Sequence, residues 1–154
     1  MARTIGYMIT WTTYGTWLQG DKRGFVKEGQ IYPPNKRLSQ SNKESLTKRR
    51  VKLSQAQRQV VQIAIHRKAA QLNQKILALC VCSNHVHIVA DYIPKPIGRV
   101  VSHYKNAAQA ALRRTGITGR VWTKGFDKRY CFDQETLTTR IDYVRAHDDN
   151  AKYS

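Results

Sequence analysis

The first patterned stretch of the chain is Tyr7-Met8-Ile9-Thr10-Trp11-Thr12-Thr13-Tyr14, aromatic and β-branched almost throughout, and it predicts a strand. Gly15, Gly20, Gly24, Gly29, Pro33 and Pro34 then punctuate a polar segment reaching to about Leu53. A connection that long in a small domain is usually functional or partly disordered. Beyond it the period changes. Ser54 and Gln57 make a capping box, and Val61, Ile65, Ala69 and Leu72 follow at helical spacing, so a helix is expected over 54–72. The apolar runs 76–82 and 86–90 flank a Ser83-Asn84 turn and read as a hairpin, ended by Pro94 and Pro96. Ile97, Val101, Tyr104, Ala108, Ala111 and Leu112 mark a second amphipathic helix that stops near Gly116. A basic and aromatic segment, 119–132, carries a strand around 129–132. Asp133 then caps a last helix whose stripe is Leu137, Ile141 and Val144.

The resulting order, β-α-β-β-α-β-α, predicts an α+β fold. Its first six elements follow the ferredoxin-like β-α-β-β-α-β pattern, an antiparallel sheet with two helices on one face. The additional C-terminal helix is left to pack near the open face. At 154 residues the chain fits a single domain, 1–154, with a long loop insertion over about 15–53.

Charge sharpens this picture. There are 27 Lys plus Arg against 10 Asp plus Glu, a formal net charge of +17. Between Glu44 and Asp127 the only carboxylate is Asp91, whereas fifteen basic residues fall in that interval. Such a surface suits a polyanion, so nucleic acid is the first partner to consider; a merely solvated basic surface is the plain alternative. No run of 18 apolar residues suggests a membrane span, the first residues do not read as a secretory leader, and three cysteines suit a reducing cytoplasm.

Candidate chemistry centres on His85-Val86-His87. Two residues apart on a strand share a face, so both imidazoles can reach one ion. Tyr143 and His147 lie one helical turn apart on the flank of the last apolar stripe. Tyr143 can therefore point along the open face of the sheet with His147 as a third ligand beside it. The plainer readings are a packing tyrosine and a cation at a helix C-terminus. Cys80 and Cys82 could be joined with the two histidines as a zinc set, but the tight C-x-C spacing and the intervening turn favour packing. Trp11, Tyr14, Trp17, Trp122 and Phe126, interleaved with basic residues, offer faces on which unpaired bases could stack, although Trp11 and Phe126 read better as core.

Ser83-Asn84-His85-Val86-His87-Ile88-Val89 resembles the His-hydrophobe-His motif of single-tyrosine HUH transposases, especially the REP-associated tyrosine transposase-like proteins. Trp122-Thr123-Lys124-Gly125-Phe126 resembles that branch's W-x-x-x-(F/Y) segment, and Ile141-Asp142-Tyr143-Val144 its tyrosine helix. This chain has His147 where the family more often has Gln or Asn. The resemblance implies a single-stranded DNA endonuclease and strand transferase, with Tyr143 as nucleophile and a 5′-phosphotyrosine intermediate. It implies Mg²⁺ or Mn²⁺ on His85, His87 and His147, and DNA with hairpin structure as partner, handled by one chain or a homodimer in the cytoplasm. Lys105, Arg113, Arg114, Trp122 and Lys124 are the candidate DNA-binding residues. A non-catalytic nucleic-acid-binding module on the same fold and a metal hydrolase are the rival readings.

Overall fold

The computed structural model describes residues 3–16, 25–27, 30–32 and 50–151. Its elements are β1 (Gly6–Thr12), β2 (Phe25–Lys27), β3 (Gln30–Tyr32), α1 (Gln55–Leu72), β4 (Ile76–Val81), β5 (His85–Asp91), α2 (Ile97–Arg114), β6 (Asp127–Cys131) and α3 (Gln134–Ala151). Four strands form an antiparallel sheet in the order β4-β5-β1-β6, the ferredoxin-like arrangement expected from the element order. The short ribbon β2–β3 lies within the segment read as a connection and is an addition to that reading. The rest of the expected 15–53 insertion, including Trp17, falls mostly outside the described residues.

Strand alternation sorts the sheet's residues between two helix layers. Tyr7, Ile9 and Trp11 of β1, with Val86, Ile88 and Ala90 of β5, join Val61, Ile65, Val101, Tyr104 and Leu112 of α1 and α2 in the larger core. Met8 and Val89 face the other way and join Ala78, Cys80, Cys82 and Cys131 beneath Leu137 and Val144 of α3. The last helix therefore covers the face that α1 and α2 leave open, packing chiefly over β4. Its apolar stripe is the predicted one, with Ile141 partly buried between the two core residues.

Local signals set the ends of these elements. Ser54 accepts from Gln57 N while Ser54 N donates to Gln57 Oε1, closing the capping box at the start of α1. Asp133 Oδ1 accepts from Thr136 N at 2.7 Å at the start of α3, and that bond holds its carboxyl below the usual carboxylate range. Gly6 permits a close approach: a Cβ there would stand 2.7 Å from Ala90 O and 2.9 Å from Leu137 Cδ1. Between β1 and the helices, buried Gln74 donates to Tyr7 Oη and Asp91 O and accepts from Tyr104 Oη. Those bonds compensate the amide for its loss of water.

Candidate active site

At the open end of the sheet the α3 face changes from hydrocarbon to imidazole. His85 and His87 stand on β5 two residues apart, so both point toward α3, and His147 on the last helix meets them. The three ring centroids form a triangle with sides of 4.7, 4.9 and 4.8 Å. His85 Nε2 and His147 Nε2 are 2.8 Å apart. Two nitrogen ligands at right angles, each about 2.1 Å from one ion, stand about 3 Å apart, so this pair is spaced for a shared divalent cation.

Neighbouring side chains orient these rings. Asn84 Oδ1 lies 2.6 Å from His85 Nδ1; accepting from Nδ1–H, it leaves Nε2 with a free lone pair. Thr10, opposite His87 across the β1–β5 ladder, places Oγ1 2.7 Å from His87 Nδ1 and can hold that ring in the same sense. His87 is buried. Loss of hydration, reinforced by the neighbouring His85 and His147, pushes its pKa down to about 3, so the ring is neutral at pH 7, the form that ligates a metal.

Tyr143 completes the cluster. It is 50% exposed, its ring stacks on His147 with centroids 5.9 Å apart, and it meets His87 edge-on at 5.8 Å. The i, i+4 spacing does what geometry requires, laying tyrosine and histidine on one flank of α3 while Val144 fills the core. All four predicted residues thus come together within one chain. Cys82 also reaches this place. Its Sγ and a ring nitrogen each of His85 and His147 lie within 4.8 Å of one another. Cys80 Sγ is 3.1 Å from Cys82 Sγ. A hydrogen bond from Cys80, aided by His85, holds the Cys82 thiol below its ordinary pKa. The sequence pattern did not point to Thr10 or Asn84 as site residues, and it favoured packing for Cys82, which both joins the core and stands beside the histidines; strand alternation and adjacency to the His pair were the available signals.

The candidate DNA-binding residues are dispersed. Lys105 is half buried and donates to Thr123 O and Gly125 O, bracing the 123–125 loop. Burial first, then Arg120, lowers its pKa to about 8. Trp122 is buried edge-on against Trp11, with Nε1 donating to Lys105 O, so it packs the core and has no free face for a base. Its expected role in stacking gives way to packing for that reason. Trp11 is buried and Phe126 packs at the core's margin, as their patterns suggested. Lys124 is exposed on the loop, and Arg113 and Arg114 are exposed in the last turn of α2, in the helix layer across the sheet from the histidines.

The family model described as "Transposase IS200 like" matches residues 45–147, well over half of the chain and the span holding every residue of this cluster except Thr10. The chain belongs to the IS200-like transposase family. Membership makes it a DNA-processing protein of transposition. Its fold is similar to that of a REP-associated tyrosine transposase solved bound to a REP hairpin, with a TM-score of 0.51 at 12% identity, over 94% of this chain and 67% of that one. A candidate transposase from Deinococcus radiodurans R1 aligns over 95% of this chain and 92% of its own, at 14% identity and a TM-score of 0.48. No curated protein matches the sequence. For an IS200-like transposase the donor chemistry fits a divalent cation: three imidazoles, two of them oriented from behind, beside an exposed phenol. Among the described residues no helix is long and apolar enough to cross a membrane.

Proposed function

We propose that this chain, as a single domain over 1–154, is a metal-dependent single-stranded DNA endonuclease and strand transferase that works through a 5′-phosphotyrosine. The observation that supports this most is the position of Tyr143, half exposed yet stacked on one imidazole of the cluster and edge-on to another.

Tyr143 Oη attacks the scissile phosphorus in line. The new O–P bond forms as the bond from phosphorus to the 3′ oxygen breaks, the phenolic proton leaves Oη, and the departing 3′ oxygen ends as a hydroxyl. Because the product is still a phosphodiester, the reverse attack by a 3′-OH rejoins DNA without ATP. The phenol gives up its proton as the new O–P bond forms. His147 limits the rotation of the phenol by stacking, and Thr10 and Asn84 each fix the Nδ1 side of the His87 and His85 rings. A divalent ion held by His85, His87 and His147 would supply positive charge to polarise the phosphate and steady the leaving oxygen. Of the two ions implied, three imidazoles suit Mn²⁺ better than the oxygen-preferring Mg²⁺.

Nucleophile and ligands belong to one chain, so one subunit can complete the step and a homodimer is not required for it. Exposed Lys124, Arg113 and Arg114 serve the phosphate backbone, making binding to single strands salt-dependent. We place the activity in the cytoplasm, on DNA carrying a hairpin, the kind of ligand held by the structurally similar REP-associated transposase.

The test is labelled single-stranded DNA incubated with the chain and Mn²⁺, then resolved on a denaturing gel. A protein-linked band that vanishes in Tyr143→Phe is the expected result. Cleavage that persists in that variant, with no linked protein, overturns the reading in favour of a metal hydrolase; binding with no cleavage in the parent favours a non-catalytic module.

A further inference from the structure

We infer that Cys82 is a metal ligand and that the cluster has a second ion position, formed by Cys82, His85 and His147, selective for a borderline-soft cation such as Zn²⁺. The inference rests on the reading that His85 and His147 face an ion, and it adds a competing position to that one.

The position follows from the hairpin. Ser83 and Asn84 make the turn, so Cys82 and His85 close it as partners, with Cys82 N donating to His85 O at 2.8 Å. Alternation on β4 and β5 then sends the Cys80, Cys82, His85 and His87 side chains to the α3 face. There the donor atoms of Cys82, His85 and His147 lie within 4.8 Å of one another, a spread that small side-chain rotations can gather around one ion. Cys80 supplies the supporting hydrogen bond that a metal-bound sulfur ordinarily has, its Sγ 3.1 Å away. One sulfur and two imidazoles leave a fourth tetrahedral corner open, a donor set that suits Zn²⁺ and offers little to Mg²⁺ or Mn²⁺.

Two ligand sets therefore share His85 and His147. One is completed by His87, the ring that meets Tyr143. The other is completed by Cys82 on the β4 side. Zn²⁺ binding displaces the thiol proton of Cys82 to solvent and draws the shared imidazoles into a site without His87.

The experiment uses the full chain, stripped with a chelator and titrated with Co²⁺ as a spectroscopic substitute for Zn²⁺. The wild-type chain should develop a sulfur-to-cobalt charge-transfer band in the near ultraviolet, bleached by added Zn²⁺. Cys82→Ser should lack the band and bind Zn²⁺ at least about tenfold more weakly in competition with a chromophoric chelator. Cys80→Ser and Cys131→Ser should retain it, with circular dichroism reporting that each variant is folded. Cobalt bound by the wild-type chain with visible bands but no charge-transfer band overturns the inference and leaves the histidine-bound ion intact. A band that survives Cys82→Ser also overturns it. A charge-transfer band in a chain that forms no DNA adduct with Mn²⁺ supports the inference and sinks the nuclease reading alone.

Discussion

The same four strands present two unlike faces. Toward α1 and α2 they offer Tyr7, Ile9, Trp11, Val86 and Ile88, all closed off from solvent with Tyr104 and Leu112. Toward α3 they offer small side chains, Ala78, Cys80 and Cys82 beside Met8 and Val89, and then Thr10, His85 and His87 at the open end. Bulk on one face makes a dry core. Small residues on the other let one helix settle low enough for its flank to meet groups rooted in the strands. The contrast separates the two tasks of the fold: the α1–α2 face supplies most of the hydrophobic stabilisation, and the α3 face holds polar groups in register at some expense of packing.

The largest effect should come from breaking the dry face. Leu112→Ala is expected to lower unfolding free energy by about 2–5 kcal/mol, read from the urea midpoint. The α3 face should respond to acid instead. His87 has a folded pKa of about 3 against an ordinary value near 6.5, so the unfolded chain binds its proton first. Its contribution to stability is complete above about pH 6.5 and is lost as pH falls toward 3, by up to about 1.4 kcal/mol per pH unit. In chelator-treated protein, His87→Gln should flatten that part of the stability profile; an unchanged slope would mean that the ring is not buried as described.

Gly6→Ala probes the closeness of the two layers. Its Cβ would collide with Ala90 O and Leu137, so a loss of about 1–3 kcal/mol is expected by thermal or urea unfolding. The smallest change should follow Tyr143→Phe. An exposed ring that keeps its stacking surface should alter stability by no more than about 0.5 kcal/mol while removing the DNA adduct altogether. A large destabilisation would instead make Tyr143 a packing residue and erase the distinction between the two faces.

Much of this division could be read in the residues themselves. The capping box at Ser54, the stripe of α2 and the turn at Ser83-Asn84 each combine a boundary signal with a period, so they place α1, α2 and the β4–β5 hairpin closely. The i, i+4 relation of Tyr143 and His147 and the i, i+2 relation of His85 and His87 carry the cluster for the same reason. What escaped depends on tertiary contact. Strands β2 and β3 have three residues each, too few to show alternation. Trp122 looks like an exposed aromatic among cations until α2 brings the Lys105 carbonyl to its indole N–H. Lys105 looks like a free cation until the 123–125 loop folds over it. Thr10 is one of two threonines in a largely apolar strand, and only the β1–β5 register shows that it faces His87.

Under the proposed function, the phenol of Tyr143, set beside the histidine cluster, takes the phosphate. Mass spectrometry of the trapped protein–DNA product measures this directly, because trypsin cuts after Arg140 and Arg145 and isolates Ile141-Asp142-Tyr143-Val144-Arg145. After nuclease trimming, a nucleotide-phosphate mass is expected on Tyr143 of that peptide, formed only when Mn²⁺ or Mg²⁺ is supplied. The same mass on another residue, or cut DNA with this peptide unmodified, would contradict it.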